Sequence, residues 1–331
     1  MISRRSLILR GAALPLATVP ALAAAQSAAP FPRRPVIWVV PYPAGGFGDA
    51  VSRVLAQHMS TTLKQPVVVE NKPGAGAQIA AAHVRQQPAD GHTLLYGDIG
   101  PFAMNAALYP RLNYSMARDF MPVSRLLTSS LLLVVPPGSP FKTLDELVQS
   151  AKTRKPDAAL TYGSYGIGSQ PHIWMEMLKR EARGNFQHVA YKGGAPAVQD
   201  LMGGHIEAML DVAANSIPYV QEGKLRALAV VGSDRRLERL PQVPTVAELG
   251  YPGLNAPGWT GVVVKAGTPP EIAEQLRQAV VLAVQSEEIK RRFGDLGVTP
   301  APQPPADFGR FIQSETERWG SAIRSAGVVL E

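Results

Sequence analysis

Val36-Ile37-Trp38-Val39-Val40-Pro41-Tyr42-Pro43-Ala44-Gly45-Gly46-Phe47-Gly48-Asp49 runs from an aliphatic segment through a proline- and glycine-rich turn. Residues 36–40 read as a buried strand, and the turn leads into a helix over 49–63. In that helix Ala50, Val51, Val54, Leu55, Ala56 and Met59 share one face at i, i+3, i+4 spacing. The same unit recurs, with a strand at 66–70, a glycine turn and a helix at 78–87. Strands at 93–96 and 126–135 follow. The pattern then restarts, with strand 160–163, helix 170–182, strand 186–190, helix 195–202 and strands 206–211 and 225–231. After Gly232 come a strand at 262–265 and long helices at 270–296 and 306–326. Pro269-Pro270 and Pro304-Pro305 open those helices, at positions where the missing N–H does no harm. Alternating strands and helices imply α/β architecture with parallel sheets. The restart implies two similar lobes, one from 26–125 plus 232–331 and one from 126–231.

Composition narrows the function. A chain of 331 residues with 46% hydrophobic and 18% charged residues can bury two real cores, which excludes intrinsic disorder. Gly and Pro, 30 each, show no period, so collagen-like repeats are excluded. There is no Cys, which removes disulfide scaffolds, thiolate metal sites and cysteine nucleophiles. Residues 1–25 carry Arg4, Arg5 and Arg10, an apolar stretch at 12–24 too short to span a bilayer, and small residues before a cleavage site near 23–26. This segment reads as an export signal, Tat-like or Sec, and places the product in a periplasm, where nucleotide cofactors are not expected. Three of the 33 basic residues lie in it, and those remaining exceed the 26 acids by only four. So small and scattered an excess argues against nucleic-acid binding.

Four strand-to-helix turns are rich in small residues. They are Pro43-Ala44-Gly45-Gly46-Phe47-Gly48, Gly74-Ala75-Gly76-Ala77, Gly163-Ser164-Tyr165-Gly166-Ile167-Gly168-Ser169 and Lys192-Gly193-Gly194-Ala195. A helix start leaves backbone N–H groups unpaired and carries partial positive charge, and glycine lets a ligand come close. Two such turns per lobe can line one cleft, and a carboxylate is the matching guest. Glycines that merely permit tight turns are the competing explanation. No phosphate-loop pattern occurs, and Gly166-Ile167-Gly168 lacks the rest of a dinucleotide fingerprint.

These motifs resemble the Bug family of extracytoplasmic solute receptors, the TctC-like binding proteins of tripartite tricarboxylate transporters. The likeness starts at Pro35-Val36 and Val40-Pro41-Tyr42-Pro43-Ala44-Gly45-Gly46 with Asp49. It continues through Asn71-Lys72-Pro73-Gly74-Ala75-Gly76 and Pro88-Ala89-Asp90-Gly91-His92-Thr93. In the other lobe Ser164, Gly166, Gly168-Ser169 and His172 match S-x-G-x-G-S-x-x-H, and Tyr191-Lys192-Gly193 and Gly223-Lys224-Leu225-Arg226 extend the match. The resemblance implies a two-lobed type II periplasmic-binding-protein (Venus flytrap) fold with the ligand cleft between the lobes. It also implies a small carboxylated solute (a di- or tricarboxylate, acidic amino acid or aromatic acid) and delivery to one large and one small membrane subunit. Ala77, Ala106, Ala190 and Asp98 depart from the family's usual residues. Asp98 either lines the cleft, favouring an amine or hydroxyl on the ligand, or caps a local turn.

The candidate ligand contacts are Tyr42, Ala44, Gly45, Gly46, Phe47, Asp49, Ala75, Gly76, Ala77, Gln78 and Asp98 from the first lobe. Ser164, Gly168, Ser169, His172, Tyr191, Lys192, Gly193 and Asp211 come from the second. Asp49 either accepts a ligand amine or serves its own helix end, Ser169 also reads as a helix cap, and His172 as a packing residue. No catalytic residue, metal or cofactor is expected, and a monomer is. A hydrolase using Ser169 and His172 is the rival reading, but no G-x-S-x-G elbow supports it. A receptor that presents its closed form to a sensor-kinase ectodomain would share the same sequence features.

Overall fold

The computed structural model describes residues 31–330, so the export segment expected at 1–25 lies outside the described residues. Strands β1 (Val36–Val40), β2 (Val67–Asn71), β3 (Thr93–Asp98) and β4 (Phe120–Ser129) belong to a first sheet. A second sheet holds β5 (Leu131–Val135), β6 (Leu160–Ser164), β7 (Phe186–Ala190), β8 (Ala208–Val212) and β9 (Arg226–Val231). The chain then returns to the first sheet with β10 (Gly258–Lys265) and β11 (Val298–Pro300). Helices α1 (Phe47–Leu63) and α2 (Gln78–Gln86) follow β1 and β2, and the short α3 (Asn105–Leu108) and α4 (Met116–Asp119) precede β4. The second sheet carries α5 (Leu144–Thr153), α6 (Gln170–Ala182), α7 (Gly194–Met202) and α8 (Ala213–Gln221). Helices α9 (Pro270–Val284), α10 (Glu287–Phe293) and α11 (Pro305–Ala326) complete the chain.

The sheets run β11-β4-β10-β3-β1-β2 and β7-β6-β8-β5-β9. In each, a parallel trio (β2-β1-β3 and β7-β6-β8) is followed by an antiparallel strand that arrives from the other sheet, β10 or β5. The two lobes are therefore the same α/β plan used twice, joined where the chain crosses between sheets. Parallel strands are buried on both faces, which is why they read as continuous aliphatic runs. In β1, for example, Val36, Trp38, Val39 and Val40 are all fully buried.

Two expectations are corrected. The apolar run 126–135 is not one strand, because it changes sheets at Ser130. There the Ser130 N–H donates to Gly297 O (2.9 Å) and Ser130 O accepts the Ala213 N–H (2.9 Å), so neither group joins a ladder. The helix expected over 270–296 breaks after Val284, and Ser286 starts a new one by accepting the Ile289 N–H.

Helix α11 lies against β4 and buries Phe308 and Trp319 in the first lobe. Glu315 on the same helix, 8% exposed, accepts the indole N–H of Trp259 (2.9 Å) and of Trp319 (3.1 Å). A buried carboxylate is tolerated when its lone pairs are used in this way.

Candidate functional site

In a parallel sheet the turns after neighbouring strands gather at one end, outside the carboxyl ends of the strands. The turn after β1 (residues 41–46), the turn after β2 (72–77) and Asp98 at the end of β3 therefore meet at one end of the first sheet. The turns after β6 (165–169) and β7 (191–193), with Asp211 near the end of β8, do the same on the second. Asn71 joins the first pair through its Nδ2, which donates to Tyr42 O (3.0 Å) and to Asp49 Oδ1 (3.0 Å). Gly193 N–H to Tyr165 O (3.2 Å) and Tyr191 N–H to Ser164 O (3.2 Å) join the second pair. Helix α3 connects the two sets. Asn105 Nδ2 donates to Gly76 O (2.6 Å), while Leu108 on the same helix packs against the α-carbon of Gly168 in the opposite lobe.

The helix starts at these turns share one property. Helix α1 begins at Gly46, α2 at Ala77, α6 at Ser169 and α7 at Gly193, and none of the four has a side-chain cap. Away from the turns, Ser115, Thr143 and Ser286 cap α4, α5 and α10 with their hydroxyls, while α3, α8, α9 and α11 also start without a side-chain cap. In α1 the first helical bond is Ala50 N–H to Gly46 O (2.9 Å). The amides of Phe47, Gly48 and Asp49 thus stand outside the helical ladder. Ala44, Gly45 and Gly46 beside them are exposed, as are Ala75 and Gly76.

The turn after β2 is strained. Gly74, Ala75, Gly76 and Ala77 all have positive φ (123°, 46°, 59° and 73°). For alanine this costs roughly 1–2 kcal/mol per residue, and such strain clusters at ligand-binding segments. Ala77 is buried, and Gln78 Oε1 accepts the Asn113 N–H (3.3 Å), which ties the turn to the segment after α3.

Several candidate side chains spend their polar atoms inside the protein. Asp49, 4% exposed, accepts the Gly45 N–H (2.9 Å), Arg53 Nε and Nη2 (3.0 and 2.9 Å) and Asn71 Nδ2. It organises its turn, and the hydrogen bonds from Arg53 hold its carboxyl down at about 2, against an ordinary value of 3.8. Because the folded value is depressed, its contribution to stability is present above about pH 4 and is lost as pH falls towards 2. With Arg53 half exposed, Asp49→Asn should cost about 1–2 kcal/mol at pH 7 and almost nothing at pH 2. Urea melts of both proteins at the two pH values check this, and an equal deficit at both would refute it. Phe47 packs edge-to-face on Phe293 (6.0 Å between centroids) and is half-buried.

In the second lobe Ser164 is fully buried, its Oγ 2.7 Å from His188 Nε2 and 3.1 Å from the Gly166 N–H that it accepts. The Gly168 N–H donates to His172 Nδ1 (3.0 Å), and the Ser169 hydroxyl donates to Gly166 O (2.7 Å). His172 stacks on His188 (3.8 Å between centroids), and burial pushes it down to about 4, so it is neutral at pH 7. Its Nδ1 is taken by Gly168 and the Ser169 hydroxyl points to Gly166, so the Ser169–His172 pairing a hydrolase would need is not formed. Tyr191 donates to Asp200 Oδ2 (2.7 Å), and Lys192 is exposed without an ion pair among the described residues. Asp211 is fully buried, accepting from Tyr165, Ser216 and Asn215. Arg53, Asn71, Asn105, Tyr165 and His188 were not among the candidates. Of these only Arg53 gave a local signal, its i, i+4 spacing from Asp49.

Two matched α/β lobes built on the same strand order have the architecture of a two-lobed periplasmic binding protein, and solved structures agree. MatC of Rhodopseudomonas palustris, determined with malate, superposes with a TM-score of 0.78 at 34% identity, covering 88% of this chain and 100% of that one. A second R. palustris protein, determined with adipate, superposes with a TM-score of 0.82 at 32% identity over 91% of this chain and 100% of that one. The profile of the family described as "Tripartite tricarboxylate transporter family receptor" (TctC) matches residues 51–328. Protein BugT of Bordetella pertussis is 36% identical over 311 residues, 94% of each chain. The chain belongs to the TctC family of solute-binding receptors, to which the Bug proteins also belong.

Proposed function

We propose that the protein captures one small carboxylated solute between its lobes in the periplasm and passes it, unreacted, to the membrane subunits of a tripartite tricarboxylate-type transporter. The observation that carries this reading is the set of helix-start amides left outside the helical ladder beside exposed glycine and alanine residues. The four helices that follow the glycine-rich turns lack side-chain caps, and Ala44, Gly45, Gly46, Ala75 and Gly76 beside the first two of these starts are exposed. Uncapped amides are donors held ready for an anion. The related structures with malate and adipate support a carboxylate as that anion. In this assignment residues 1–25 direct export, and 26–125 plus 232–331 close against 126–231. The amides of Phe47 and Gly48, with those of Ala75 and Gly76, supply the first lobe's grip. Asp49, Ser164, Gly168, Ser169, His172 and Asp211 shape the turns rather than touch the solute.

Closure is favoured because only the closed form lets both lobes contact the acid. A thermal-shift screen of the purified protein against malate, succinate, adipate, citrate, aspartate, glutamate and benzoate tests the reading. An acid present at a hundred times its Kd should add about 2.7 kcal/mol of stability. A screen in which no acid stabilises the fold, or an acid that is consumed on incubation, would overturn it.

A further inference from the structure

Each lobe pairs a tyrosine from its glycine-rich turn with an aspartate from the strand next door. In the first lobe Tyr42 donates its hydroxyl to Asp98 Oδ2 at 2.7 Å. In the second, Tyr165 donates to Asp211 Oδ1. The positions correspond, because β3 adjoins β1 as β8 adjoins β6. What surrounds the two carboxyls differs. Asp211 is fully buried and receives three side-chain donors, from Tyr165, Ser216 and Asn215. Asp98 is only half-buried and receives two donors, Tyr42 and the Gly100 N–H (2.9 Å to Oδ1). A carboxylate offers about four lone-pair sites, so Asp98 keeps acceptor capacity on both oxygens. No Lys, Arg or His among the described residues forms an ion pair with it.

An acid held in a partly dry site without a cation is costly, and an incoming cation relieves that cost. Burial accordingly pushes the Asp98 carboxyl above its ordinary value, against the opposing hydrogen bonds of Tyr42 and Gly100. The exposed part of Asp98 lies at the cleft end of its strand, beside the turn whose amides take the carboxylate in the reading above. A second carboxylate placed there would meet like charge, while an ammonium would complete the site.

We propose that Asp98 selects the second functional group of the solute, so that the cleft takes a carboxylic acid that also carries an ammonium, which Asp98 accepts. This inference rests on the carboxylate-capture reading and adds a substrate class to it. The probes are matched acids with and without the amine: L-aspartate and succinate, L-glutamate and glutarate, L-leucine and 4-methylpentanoate. Calorimetric Kd values are measured for the wild-type protein and for Asp98→Asn, which preserves the side chain's shape and keeps the bond from Tyr42 through its one oxygen, at the cost of the bond from Gly100. In the wild type, at least one amine-bearing acid should bind about tenfold or more tighter than its partner. In Asp98→Asn that ratio should fall to within about threefold of unity. A purely structural role for Asp98 would weaken both members of a pair and leave the ratio unchanged. Equal or tighter binding of the deaminated acids by the wild type, which needs no variant, would overturn the assignment while leaving carboxylate capture intact. If no acid of any pair binds the wild type, the assignment of Asp98 is overturned, and the wider screen described above decides carboxylate capture by itself.

Discussion

Gly46→Asp should abolish acid binding, by a hundredfold or more, and leave the fold at least as stable as before. Gly46 precedes α1 with φ −79° and ψ 172°, an extended conformation open to any residue. A side chain there has room, since a β-carbon would meet only Pro43 O at 3.8 Å. Aspartate is among the best residues at this position, and its gain over glycine is a few tenths of a kcal/mol. That gain comes from bonding the same amides, near Gly48 and Asp49, that the solute's carboxylate would use. The added carboxylate also repels the solute. Two like charges about 4 Å apart at an effective dielectric of about 20 oppose each other by about 4 kcal/mol, more than the roughly 2.7 kcal/mol that a hundredfold loss requires. Calorimetric titration and a urea melt of the same sample separate the two effects. Binding retained within threefold would show that these amides do not hold the acid.

Gly232→Ala should destabilise the protein by about 2–4 kcal/mol through a different mechanism. Gly232 follows β9 as the chain leaves the second sheet, and it lies against Pro257, just before β10 enters the first. Its φ of +78° disfavours alanine, and a β-carbon would fall 2.8 Å from Pro257 N and nearer still to Pro257 Cα. The left-handed conformation accounts for about 1 kcal/mol, and the forced separation of two backbones for a further 1–3 kcal/mol. The Gly232 N–H also donates to Asn255 Oδ1 (2.7 Å), so the segment cannot shift without losing that bond. Urea denaturation measures the effect. A variant within 0.5 kcal/mol of wild type would mean that the two segments part without resistance.

Much of this architecture was legible because its signals are local. The aliphatic runs at β1 and β6, the glycines after them and the amphipathic spacing of α1 each fit within a few residues. The crossing at Ser130 was not, since its only local sign is the short polar interruption Thr128-Ser129-Ser130, which a strand also accommodates, and its partners Gly297 and Ala213 are far away in sequence. The break before α10 did leave a sign, Ser286 ahead of Glu287 and Glu288, which the length of the flanking apolar pattern concealed. For the site, the turns could be found but the use of their side chains could not. Ser164 is occupied by His188, 24 residues on, and Asp211 by Tyr165, 46 residues back. Asp49 was readable as a helix-end carboxylate, and Arg53 one turn later was its visible partner.

The placement of β10 between β3 and β4 bears on how the protein is made. The second sheet is drawn from one unbroken stretch, β5 to β9, and can assemble as soon as that stretch is free to fold. The first sheet cannot, because β3 and β4 emerge early and their shared neighbour is translated only after the whole insertion. Until then two hydrophobic strand edges stand open, a state that invites mispairing with other chains. A nascent chain of this protein therefore has a long vulnerable interval, and holdase chaperones that shield unpaired edges would find their target in its N-terminal portion.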